Sequence, residues 1–237
     1  MTMIRFKYLG LALLLLCAPI GASAQSTQAP PFSAAAFADP EALRGEPREL
    51  TYELVEEDLP AGVVLISVAE YDGLFDVDRE QLSQVITDFD NYEEFVPRAT
   101  RSNGLLLTQT GEGPEAWLQE LTLSFRVLFF GETYDYILRL DEVDLDRAGG
   151  YGLEYRLERS LDEKFQDVHG SWYLEEMQIA GEQLTYVRYW NRTEFAEDSF
   201  GLDTALRWFG PRDVRANIMA FIEEAQRRSL EGAESDG

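Results

Sequence analysis

Residues 211–230 read Pro211-Arg-Asp-Val214-Arg-Ala-Asn-Ile218-Met219-Ala-Phe221-Ile222-Glu-Glu-Ala225-Gln-Arg-Arg-Ser-Leu230. Val214, Ile218, Phe221, Ile222 and Ala225 recur at spacings of three and four, which makes one apolar stripe on a helix. Gly210-Pro211 marks the expected start, because proline in a first turn forfeits only an N–H that would be unpaired there. An amphipathic helix is marginal alone in water and needs a surface to lie on. The preceding hundred residues supply one, because their hydrophobicity alternates with a period of two. The expected class is therefore α+β, a curved antiparallel sheet gripping a long C-terminal helix.

Working back from the helix, residues 184–195 read as the last strand. Val168, Gly170, Trp172 and Leu174 mark the strand before it. Tyr151, Leu153, Tyr155 and Leu157 mark another, as do Tyr134, Tyr136, Leu138 and Leu140. Trp117, Leu121, Leu123, Phe125 and Val127 alternate in the same way, and a shorter strand is expected at 105–108. Alternation means one buried face and one wet face. Before these six strands, Asp78 reads as an N-cap with Gln81 three residues on. Leu82, Val85, Ile86 and Phe89 form the apolar face of the short helix that follows. Asp90 is expected to cap a second short helix, which Pro97 stops. The β-branched run Val63-Val64-Leu65-Ile66 opens the first expected strand, at 62–75, so about seven strands are expected.

The N-terminus has the marks of a secretory signal. Arg5 and Lys7 precede the apolar run 8–20, and Ala22-Ser23-Ala24 offers a cleavage site. That run is too short to span a bilayer, so no stable membrane insertion is expected once it is cleaved. The expected location is secreted, in the periplasm. Residues 25–48, rich in Ala and Pro, read as a flexible arm in which Phe32 and Phe37 are candidates for docking. Residues 49–232 read as one domain and 233–237 as a disordered tail. Cys17, the only cysteine, lies in the signal segment, so disulfides, thiolate catalysis and cysteine-ligated zinc are excluded from the mature chain. The net charge is −24, and cleavage would remove Arg5 and Lys7 but no acid, taking it to −26. Such a surface repels nucleic acid.

The run Val85-Ile86-Thr87-Asp88-Phe89-Asp90-Asn91-Tyr92-Glu93-Glu94-Phe95-Val96-Pro97 follows the first expected strand. With Gly170-Ser171-Trp172-Tyr173-Leu174 and Gly181-Glu182-Gln183-Leu184-Thr185-Tyr186, it resembles the START-like (SRPBCC) superfamily over about residues 62–230. That group includes polyketide cyclases, coenzyme Q-binding proteins, birch-pollen-type allergens and lipid-transfer START domains. The resemblance implies a helix-grip fold with an apolar cavity between sheet and helix. Its matching residues are packing residues, so it speaks to fold more than to activity.

No catalytic residue, cofactor or metal site is expected. His169, the only histidine, has the outward parity of its strand. Asp144, Asp146 and Gly149 match three positions of a calcium loop, but Ala148 and Tyr155 stand where ligands are needed. The glycine turns at 111–114 and 149–152 lack the lysine and following helix of a phosphate site. Asn191-Arg192-Thr193 is a glycosylation sequon inside an expected strand and reads as chance.

The remaining signal is aromatic. Trp117, Phe125, Tyr134, Tyr136, Tyr155, Trp172 and Phe221 would converge beneath the helix, either as a pocket lining or as a filled core. The last strand has two readings. If Tyr186 and Trp190 point inward, Arg188 and Arg192 do too, and Arg188 would meet a ligand head group or a carboxylate such as Asp135. If Val187 and Tyr189 point inward, the arginines are outside. The match of Tyr186 to the family pattern favours the first, which adds Arg188 and Trp190 to the ligand-binding candidates. On the helix, Val214, Ile218 and Ile222 are expected against the sheet, with Met219 and Phe221 at the cavity. The expected function is binding of a hydrophobic small molecule, such as a lipid, an isoprenoid or a polyketide-like compound. The alternatives are a cyclase or dehydratase, and a scaffold with a filled core. The sequence names no protein partner.

Overall fold

The structure is a computed structural model that describes residues 30, 32–59, 62–108, 114–127, 130–145, 149–196 and 202–235. The signal segment, part of the turns at 111–114 and 144–150, and the linker at 197–199 lie outside the described residues.

Two strands, β1 (Arg48–Leu59) and β2 (Gly62–Phe75), come first. Helices α1 (Arg79–Ile86) and α2 (Tyr92–Phe95) follow, joined by a 3₁₀ turn at Phe89–Asn91. The chain then runs through β3 (Ala99–Thr108), β4 (Ala116–Val127), β5 (Phe130–Val143), β6 (Gly150–Ser160), β7 (Phe165–Ile179) and β8 (Glu182–Phe195). It ends in α3 (Leu202–Ser235). The eight strands form one sheet in the order β1-β2-β8-β7-β6-β5-β4-β3, and every neighbouring pair is antiparallel. Only the β2–β8 pairing joins strands distant in sequence. It curls the sheet around α3 and gives the expected helix-grip architecture.

One strand more than expected is present. β1 pairs with β2 along its whole length, from Arg48 opposite Asp72 to Leu59 opposite Gly62. Its sequence hid it. As an edge strand it carries Glu53, Glu56 and Glu57, the kind of charge that keeps an exposed edge from pairing with other chains.

Local chemistry explains the short helices. Asp78 caps α1 by accepting the Gln81 N–H at 2.8 Å, and Leu82, Val85 and Ile86 are buried on its inner face. Asp90 does not cap α2 as expected. Its carboxylate accepts the Gly104 N–H at 2.7 Å, and Glu93 accepts the Ser102 N–H at 3.1 Å. Both acids thereby satisfy backbone donors of the edge strand β3.

α3 starts at Leu202, so Pro211 stands inside the helix and the aromatic stretch before it is helical too. An internal proline forfeits one helical hydrogen bond. Two sheet tyrosines reach the helix around this point. Tyr52 donates to the Leu206 carbonyl at 3.0 Å, and the Tyr71 hydroxyl, which donates to Glu49 at 2.9 Å, lies 3.2 Å from the Pro211 carbonyl. Gly210 is required for that approach, since a Cβ there would lie 1.8 Å from the Tyr52 hydroxyl oxygen.

The sheet's outer face is also covered. Residues 32–46 lie against it, with a 3₁₀ turn at Glu41–Leu43. Phe37 stacks on Tyr186 with ring centroids 6.0 Å apart, and Phe32 meets Tyr173 edge-on at 6.4 Å. Leu43 is completely buried beside Leu74, Leu184 and Tyr186.

Candidate functional site

A cavity of about 250 Å³ lies between the inner face of the sheet and α3. Its helical wall comes from Leu202, Leu206, Phe209, Asp213, Asn217 and Phe221 among others, spaced by three and four so that they share one face. Val214 and Ile218 also line it, although they were expected against the sheet, and Met219 does not.

The aromatic candidates fall into two groups. Phe125, Tyr134, Tyr136, Tyr155, Trp172 and Phe221 stand in the cavity wall. Trp117 is inward and buried but packs against Phe89, centroids 5.8 Å apart, away from the cavity. Phe221 closes one end. Its ring makes edge contacts with Tyr92 at 5.2 Å, Phe95 at 5.5 Å and Trp172 at 5.2 Å, a geometry aromatic rings favour.

The parity of β8 is the reverse of the expected one. Tyr189, Asn191, Thr193 and Phe195 line the cavity, so Arg188 and Trp190 are on the outer face and are withdrawn as cavity residues. Arg188 meets a carboxylate there, but it is Glu70 and not Asp135. Its Nε donates to Glu70 at 2.7 Å, Nη2 donates to the same oxygen, and Nη1 donates to the Ser33 carbonyl at 2.9 Å. Trp190 is buried with its ring 6.1 Å from that of His169, and His169 is exposed. The pattern was misread because Tyr186 and Trp190 have the size of core residues. They are buried, but on the other side of the sheet.

The residues that replace them form a polar chain. Thr193 Oγ1 donates to Asn191 Oδ1 at 2.9 Å, Asn191 Nδ2 donates to the Tyr155 hydroxyl at 3.1 Å, and Tyr155 donates to the Tyr189 hydroxyl at 2.9 Å. Gly170 makes room for this chain, since a Cβ there would lie 2.0 Å from the Tyr155 ring. Burial holds the tyrosines protonated. It raises Tyr155 well above its ordinary value, raises Tyr136 strongly, and pushes Tyr189 up to about 12. Asp213 is the one charged residue in the wall among the described residues. It accepts from Arg98 Nη2 at 2.8 Å, and the Arg98 guanidinium lies 4.9 Å from the centre of the Phe125 ring. Among the described residues, no cluster of His, Cys, Asp or Glu has the make-up of a metal site. The sequence signal for the polar chain was the Asn191–Thr193 spacing of two beside Tyr189, which places all three on one strand face.

The geometry has counterparts among solved structures. A STAR-related lipid transfer protein from Xanthomonas axonopodis superposes with a TM-score of 0.50 at 12% identity, covering 74% of this chain and 98% of that one. The fold is START-like. The ZhuI aromatase/cyclase of Streptomyces sp. R1128 gives a TM-score of 0.49 at 17% identity, over 69% of this chain and 96% of its own. Human STARD10 gives 0.47 at 10% identity, over 78% and 79%. No protein-family model and no curated protein matches the chain.

Proposed function

We propose that this START-like protein is a carrier or sensor that binds one hydrophobic small molecule in the cavity beneath α3, outside the cytoplasm. The observation that carries the reading is the cavity itself. Helix and sheet together leave about 250 Å³ of space lined by six aromatic side chains from the expected set, where a filled scaffold would have closed it. Burial of apolar ligand surface would supply the affinity, at about 25 cal/mol per Å² before ordering costs. The segment at residues 1–24 supports the proposed periplasmic location. Among the described residues no helix is long and apolar enough to cross a membrane.

The test is extraction and mass spectrometry of protein purified from its native compartment, together with uptake of an apolar fluorescent probe. The expected result is a co-purifying apolar compound, and displacement of the probe by it. Absence of both would defeat the reading. Phe221→Ala should alter probe affinity if the space is a ligand pocket. If it changes stability alone, the pocket is core.

A further inference from the structure

We infer that the cavity recognises an uncharged, compact ligand by a carbonyl oxygen, held between the hydroxyls of Tyr136 and Tyr189. The inference rests on the reading of the cavity as an apolar ligand site and names the chemistry that site selects.

The direction of the polar chain decides the first donor. The Asn191 amide donates to Tyr155, so the Tyr155 proton is directed to Tyr189. Tyr189 therefore accepts, and its own O–H is the terminal donor, with no acceptor among the described residues. Tyr136 supplies the second donor. It is only 6% exposed, lines the cavity, and its hydroxyl has no hydrogen-bond partner among the described residues. Both side chains line the same cavity. A hydroxyl donor that faces the cavity with no protein acceptor is left for a ligand oxygen or a water, and a ligand oxygen can replace that water. A carbonyl oxygen has two lone pairs and can accept from both.

Charge and size narrow the class further. A carboxylate or phosphate buried here would meet no cationic wall residue among the described ones, and Arg98, beside the wall, is already paired with Asp213. Burying an unpaired charge in such a place is strongly unfavourable. The cavity, at about 250 Å³, is just below the ~300–1,000 Å³ usual for small-molecule pockets. That volume suits a small cyclic ketone or quinone and leaves no room for a two-tailed lipid.

The test compares 1-tetralone with tetralin, which has nearly the same shape but no carbonyl, and with the anion 1-naphthoate. Binding is measured by calorimetry, and the carbonyl stretch of bound tetralone by infrared difference spectroscopy. The expected result is that tetralone binds tighter than tetralin, that naphthoate binds weakest, and that the carbonyl band moves to lower frequency on binding. Tyr136→Phe and Tyr189→Phe should each weaken tetralone binding roughly three- to tenfold, reduce the band shift, and leave tetralin affinity unchanged. Equal binding of tetralone and tetralin with an unshifted band would overturn the carbonyl assignment while leaving the apolar pocket standing. Tightest binding by naphthoate would overturn the selection of neutral ligands. If neither neutral probe nor an apolar dye binds, the pocket reading falls and this inference with it. The wild-type band shift decides the matter even if a variant fails to fold.

Discussion

The two faces of β8 bury polar groups in opposite ways. On the inner face, Tyr189, Asn191 and Thr193 are neutral and bond to one another and to Tyr155. On the outer face, Arg188 pairs with Glu70, and Arg192 pairs with Glu194 at 2.5 Å. Tyr186, between them and the arm, donates to the buried Asp72 at 3.0 Å, which Arg48 grips with two bonds of 2.9 and 2.7 Å. The outer face is built from charge matched against charge. The inner face is built from hydroxyls that leave donors over. The difference between the faces is one of charge: the outer arginines are matched to carboxylates, even though Arg192 Nε has no partner among the described residues, whereas the inner face offers neutral hydroxyl donors to an open cavity, which suits an uncharged ligand.

The strongest way to break this contrast is to put a charge on the wrong side. Ile218 is 2% exposed and lines the cavity. Ile218→Glu should lower stability by roughly 3–5 kcal/mol at neutral pH, because the carboxylate has no cation to meet. The penalty should shrink in acid. Burial raises the folded-state pKa of the new glutamate, so the cost is present above the unfolded value and is relieved as pH falls through the folded one. The same residue at the exposed His169 should change stability by no more than about 0.5 kcal/mol. Urea unfolding of both variants checks the pair, and equal losses would show that the inner face has no special intolerance.

The next effect belongs to the outer face. Glu70→Gln would remove the charge matched to Arg188, leaving neutral acceptors only, an amide oxygen at position 70 and the Ser33 carbonyl. The expected loss is about 2 kcal/mol, in the range for hydrogen bonds to charged groups, with affinity for an apolar probe unchanged. A change in probe affinity would mean that the two faces are coupled through β8.

These contrasts also explain what could be read from the amino acids. The two short helices were legible because Asp78 and the Leu82/Val85/Ile86 face are local signals. The six alternating strands were legible for the same reason. The parity of β8 was not, because alternation reveals sides only when one side is wet. Residues 32–46 bury Tyr173 and Tyr186 on the outer face, so both sides of β8 carry large aromatic residues. The start of α3 was hidden by Pro211, which reads as a first-turn residue although the helix already runs from Leu202 and meets Tyr52 at the Leu206 carbonyl. The cavity's extent was hidden for a third reason. Trp117 has the correct parity, but Phe89 fills the space above it.

High pH should separate the neutral face from the charged one. The folded pKa of Tyr189 is raised, to about 12, by burial, above the ordinary value near 10. A raised folded value means that stability is fully present below about pH 10 and is lost as pH rises toward the folded value. The slope is about 1.4 kcal/mol per pH unit for each such tyrosine. Chemical unfolding between about pH 10 and about pH 12, the window set by those two values, should show this loss. Tyr189→Phe should flatten the slope by one tyrosine's share. Glu70→Gln should leave the slope as it is, since no tyrosine is altered.

The smallest effect tests the middle of the polar chain. Tyr155→Phe keeps the ring that fits over Gly170, so packing is preserved and only the hydroxyl is lost. Asn191 Nδ2 and the Tyr189 oxygen each lose their partner. One neutral hydrogen bond contributes about 1 kcal/mol net, and the adjoining cavity lets water reach the stranded groups, so the loss should stay near that value. For a domain of this size it corresponds to a fall in Tm of about 2–4 °C. The effect on binding should have a distinct form. Without Tyr155 as donor, Tyr189 no longer has its orientation fixed by an incoming proton, yet its own O–H remains. Tetralone should therefore bind less tightly than to the wild type but more tightly than to Tyr189→Phe. If Tyr155→Phe weakens the ketone as much as Tyr189→Phe does, then Tyr155 touches the ligand itself, and the polar chain runs in the opposite direction.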